Sequence, residues 1–197
     1  MMPQLEQQLA TQSWDITPYV NVFNEVPEKG FSQFMDHPRY STGYTTLWNT
    51  LGMMVETHML KPYKQRVEGT YYLMNEMIAI AEKDGEKIKN LRSVASERHS
   101  NWIYYPTTWV VDTTEVSNLS FKGYEADTIT SQVTGLKRLK YDRTRPFTKD
   151  VSYHNYFIPS DSVKVPEAYI LKKGWSKVVD LLDLNDISYS LIKEDTT

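Results

Sequence analysis

The stretch that most constrains this chain is Leu51 to Leu60, a short apolar run bounded by Gly52 and Pro62 with one carboxylate, Glu56, in its middle. A run of that length, rich in Val and Met and closed by Pro, predicts a strand buried on both faces. Holding a carboxylate there without a partner costs several kcal/mol, so such a group is expected to be paired or used. Burial would also raise its pKa towards neutrality, which suits proton transfer.

The helix that follows has the clearest periodicity in the sequence. Tyr63, Val67, Tyr71, Met74, Ile78 and Ala81 recur at helical spacing and form one apolar stripe. Ile88, Leu91 and Ala95 extend it past Gly85, either as one long helix or as two joined there. Strand, turn and long helix together predict an α/β arrangement for residues 1–100.

Upstream, residues 3–10 predict a short helix, Ile16 to Phe23 a strand, and Thr45 to Asn49 a short helix. Glu25 to Pro38 predicts a loop with Phe31 and Phe34 packed beneath it. Beyond Trp102 the texture changes. Strands are expected at Trp109–Val111, Leu119–Tyr124, Val151–Ile158, Val163–Leu171 and Ile187–Ile192, with a short helix at Trp175–Leu182. Residues 101–197 therefore read as a smaller β-rich α+β unit.

Composition excludes more than it selects. The net charge of −3 is spread so that neither half is basic, which argues against nucleic acid as a partner. With no cysteine, disulfides and thiolate metal sites are excluded. No 18-residue uncharged apolar stretch predicts a membrane span, and the N-terminal residues do not read as a signal peptide. The aromatic excess, 14 Tyr, 5 Trp and 6 Phe, suits half-buried sheets and binding clefts alike.

Glu56 and His58 lie two apart and would share a strand face, but zinc needs three or four ligands. None of His37, His58, His99 and His154 has a histidine or carboxylate at either helical metal spacing, so no metal site is expected from this chain. Nucleophile-elbow and phosphate-loop motifs are absent. Lys137 to Lys149 is locally basic with interleaved aromatics and reads as a solvated hairpin in preference to an anion grip.

Three stretches carry a resemblance: Pro38-Arg39-Tyr40-Ser41-Thr42-Gly43-Tyr44, the segment Val55-Glu56-Thr57-His58 with Leu60-Lys61-Pro62-Tyr63, and the helix after it. Phe121-Lys122-Gly123-Tyr124 and Val165-Pro166-Glu167-Ala168-Tyr169 to Trp175 extend it. On these residues the chain resembles the C-terminal half of a bacterial zinc carboxypeptidase of the carboxypeptidase A superfamily. The resemblance implies part of a hydrolase-like α/β sheet with helices. It places Glu56 as the general base towards zinc-bound water, and then as the acid towards the leaving amine. It places Tyr40 at the tyrosine that closes over a peptide substrate, with Arg39 beside it. The zinc ligands and the carbonyl-polarising arginine of that family lie upstream of the matching segment, so zinc is expected in the full-length enzyme and not on this chain alone. The isolated chain is then expected to be inactive, with exposed sheet edges that invite homo-oligomers. A secreted or periplasmic setting is what the family implies. A non-catalytic module binding peptide or carbohydrate is the alternative reading.

Overall fold

The structure is a computed structural model and describes residues 1–22 and 25–194. Contacts divide the chain into two compact units, Met1–Val163 and Lys164–Thr197.

The first unit has two small cores. One lies between helix α1 (Met2–Thr11) and the long helix α3 (Tyr63–Ser100). Pro3 sits in the first turn of α1, where its missing N–H is harmless. Leu5 and Leu9, one turn apart, are buried against Leu73 and Ile80 of α3, with Trp14, Met53 and Met77 packed around them. Helix α3 runs unbroken through Gly85, so the two apolar stripes belong to one element.

The second core is built on a mixed sheet of order β1-β4-β3, with β1 at Phe31–Ser32, β3 at Ser117–Thr130 and β4 at Lys137–His154. Strand β1 pairs parallel with the end of β4, Phe31 opposite Tyr153, while β3 and β4 form a long antiparallel hairpin. Phe31, Phe121, Val151 and Tyr153 are buried together, and Val20 and Val22 close on them. Gly30 enters β1 at φ +89°, and a Cβ there would meet the Ser152 carbonyl oxygen at 2.7 Å, so only glycine fits. The ladder shifts register between Tyr124 and Ala126, so residues 142–145 bulge from β4. Strands β2 (Tyr104–Val111) and β5 (Phe157–Lys164) form a separate pair. The mixture of helix and sheet agrees with the expected α/β-type composition of the fold.

Several local expectations fail. Leu51–Leu60 is neither a strand nor buried: residues 50–58 have no regular structure, and Met59 and Leu60 are 80% and 74% exposed. A strand needs a neighbour, and among the described residues none lies beside it. Residues 16–22, 165–171 and 187–192 are likewise not strands, and Phe23 lies outside the described residues. Helix α2 spans Ser41–Thr46, starting four residues before the expected Thr45. Phe31 is buried as anticipated, but Phe34 is exposed, its ring 6.1 Å from that of Tyr40.

The second unit, described to Glu194, has one helix, α4 (Ser176–Leu184), which overlaps the expected Trp175–Leu182 and runs two residues beyond it. No helix among the described residues is long and apolar enough to cross a membrane.

The area left to solvent is 16302 Å². A folded monomer of 23.0 kDa exposes about 9,600 Å².

Candidate functional site

Helix α2 organises the first group of candidate residues. Tyr40 caps it in an extended conformation, and its carbonyl accepts the Tyr44 amide at 2.8 Å. Gly43 is buried against the 36–37 backbone: an added Cβ would lie 2.1 Å from the His37 carbonyl oxygen. Thr42 donates to Asp36, while Thr45 and Thr46 hydroxyls donate back to the carbonyls of Thr42 and Gly43 at 2.7 and 2.6 Å. The Ser-Thr-Gly-Tyr-Thr-Thr sequence is thus explained by a short helix folded onto its own approach loop. On its outer side Arg39 and Tyr40 meet. The guanidinium lies 5.0 Å from the Tyr40 ring centre, and Nη2 donates to the tyrosine hydroxyl at 3.1 Å. Both side chains are exposed.

Glu56 stands in solvent, and no hydrogen bond or ion pair joins it to Arg39, Tyr40 or His58. Among the described residues nothing covers its carboxylate. His58 is held locally, its Nδ1 accepting the Leu60 amide at 3.1 Å within the turn that leads to Pro62.

The path of the segment is nevertheless defined at three points. Arg92 of α3 donates to the carbonyls of Asn49 and Trp48 at 3.1 and 3.3 Å. Met53 packs on the α1–α3 core. Thr57 lines an open concavity of about 420 Å³ with Val67, Tyr71 and Met74 of α3. From Arg92 back to Met74 is about 27 Å along the helix, and residues 49 to 57 reach at most about 29 Å. The segment is therefore drawn out along α3 and runs antiparallel to it. From Leu51 to Thr57 no backbone N–H or C=O has a partner among the described residues.

Sequence reasoning missed Arg66. It lines the same concavity, its guanidinium lies 5.6 Å from the Tyr63 ring centre, and its buried Nε has no hydrogen-bond partner among the described residues. Its signal was a cation set between Tyr63 and Val67 in the apolar stripe.

Among the described residues, no group of three His, Cys, Asp or Glu side chains is placed to hold an ion. In the basic hairpin, Arg145 is paired with Asp142 and Asp127, and Lys149 with Glu125 and Glu28. Those carboxylates occupy cations that an anion would need. Comparison with protein-family models, curated proteins and solved structures found no match.

Proposed function

We propose that this chain is part of a carboxypeptidase-type peptide hydrolase and carries its proton-transfer group, Glu56, on a segment that other polypeptide must cover. The supporting observation is the state of that segment. Residues 51–57 are drawn out along α3 with every backbone group unpaired among the described residues and Glu56 projecting from them. A strand added alongside would satisfy those groups, and the cover it brings would desolvate the carboxylate.

In that setting Glu56 takes a proton from the attacking water as the C–O bond forms. It returns the proton to the departing amine nitrogen as the C–N bond breaks. Tyr40 and Arg39, stacked on each other at the rim of α2, form a polar and aromatic wall for the peptide. Among the described residues no group of three His, Cys, Asp or Glu side chains is placed for a metal, and this reading assigns activation of the water to polypeptide outside this chain.

The test is made in two proteins. The isolated chain should not release C-terminal residues from peptides. A longer protein that contains this chain and hydrolyses peptides should lose at least about a thousandfold in kcat on Glu56→Gln, with its circular dichroism unchanged, as expected for removal of an essential proton carrier. Unchanged turnover would refute the reading.

A further inference from the structure

We propose that the same unpaired segment and the exposed seam of α3 form a self-association surface, and that its occupant is a second copy of this chain. The pairing rests on backbone and apolar geometry and does not depend on the hydrolytic reading.

Two observations meet on one side of the molecule. The first is the edge of residues 51–57, a row of open donors and acceptors, which is a template for strand pairing. The second is the helix beside it. Val67, Tyr71, Met74, Ile78, Ala81, Gly85 and Ile88 follow one another at alternating spacings of four and three, the repeat that packs one helix on another. Tyr71, Met74 and Ile78 are 61%, 57% and 63% exposed, because a neighbouring stripe of α3, with Leu73 and Ile80, is the one used against α1. A Cβ built on Gly85 would meet nothing within 4 Å, so no contact among the described residues accounts for glycine there.

Self-complementarity decides the occupant. An antiparallel pairing of residues 51–57 with themselves centres on Met54, and sets Val55 opposite the second copy's Met53. The one ionisable group in the segment, Glu56, falls opposite Gly52. The two Glu56 Cα atoms then stand about 13 Å apart along the ribbon, beyond the Debye length, so like charges do not oppose the contact. Interpolating between the Arg92 and Met74 anchors brings Met54 alongside about Ala81 of α3. A two-fold axis there turns Ala81 towards its own copy, so small faces small at the centre, and sets Ile78 level with the second copy's Asp84, one residue short of Gly85 on the seam. One symmetric contact satisfies both the ribbon edge and the seam.

Because the native chain has no cysteine, a single introduced thiol reports the axis directly. Residues opposite each other in an antiparallel ladder have Cα atoms about 4.5–5.5 Å apart, within disulfide range. Met54→Cys should therefore form a disulfide-linked dimer under mild oxidation at low micromolar protein. Val133→Cys, at a position 94% exposed in the far hairpin turn, should stay unlinked. Sedimentation velocity of the native chain should show a dimer at tens of micromolar. Ile78→Glu and Met54→Pro should each raise its dissociation constant at least about tenfold with helix content retained. Both substitutions fall on exposed side chains, so loss of folding is not their expected effect. A monomer at all concentrations would overturn the proposal and leave the surface to a different polypeptide. So would a dimer in which the Val133→Cys variant links as readily as the Met54→Cys variant, or one indifferent to both Ile78→Glu and Met54→Pro.

Discussion

At the scale of single residues, the tightest local constraints lie away from Glu56. In the β4 bulge, Asp142 accepts the Thr144 hydroxyl and amide at 2.7 and 2.9 Å and Arg145 Nε at 2.9 Å. The Thr144 hydroxyl, then its amide, then Arg145 hold the Asp142 carboxyl down at about 2. A depressed folded value means that the bulge gains from the charged form above the ordinary carboxylate range and loses that gain as pH falls towards 2. Titration followed by carboxyl ¹³C NMR should give Asp142 a midpoint near 2, and Thr144→Val should move it upwards. An unmoved midpoint would show that the hydroxyl is not the main cause. Glu56 belongs to the opposite case. Its residue type and setting were legible in the sequence, but the burial expected of it was not realised, because burial is conferred by neighbours that a single segment cannot name.

Elements show where periodicity informs and where it misleads. The spacing from Tyr63 to Ala81 specified a helix, and α3 is that helix, extended to Ser100. The stripe did not specify which face would be used. The buried residues, Leu73 and Ile80, lie on a neighbouring stripe that meets α1, and the apolar seam is left open. Two glycines in α3 separate these faces. A Cβ on Gly69 would lie 2.9 Å from the Trp14 ring, whereas one on Gly85 is unopposed. Gly85→Ala should therefore stabilise the monomer by about 0.8–1 kcal/mol through helix propensity. Gly69→Ala should gain nothing or lose stability, because the indole must move. Urea unfolding of both variants, monitored at 222 nm, decides this: equal shifts would mean that the Trp14 contact does not constrain α3. The hairpin strands were legible only in part. Leu119–Tyr124 falls within β3, but Lys137–Lys149, read as a hairpin, is most of β4. The expected Val151–Ile158 strand divides at residues 155–156 between β4 and β5. Strands β3 and β4 carry alternating apolar residues, and each is the other's neighbour, so local pattern and pairing agree. Residues 51–58 carry an equally apolar pattern and have no such neighbour.

At the scale of the whole molecule, the balance of surface is the dominant fact. The unfolded chain would expose about 33,000 Å², so with 16302 Å² still open the fold buries about half of it, against about 71% for ordinary domains of this mass. Denaturant sensitivity follows the area released on unfolding. The guanidinium m-value of Ile78→Glu, chosen to keep the chain monomeric, should be about 0.7 of that expected for a compact protein of 197 residues. A full-sized m-value would contradict the exposed surface described here. The same surplus connects the two proposals. A hydrolase segment awaiting its cover and a chain that pairs with itself both begin from open ladder groups and an uncovered helix seam.

By itself the sequence determined the elements whose information is local: α1 with its Leu5–Leu9 pair, the long α3 and the Leu119–Tyr124 part of β3. It also placed Glu56 in an apolar segment with no metal-binding spacing around it. Tertiary structure alone decided which face of α3 is covered, that residues 51–57 lie along it unpaired, and that Arg66 shares their concavity. The physical reason is that helices and hairpins satisfy their hydrogen bonds within a short stretch of chain, whereas burial of a strand or a carboxylate is set by what packs beside it.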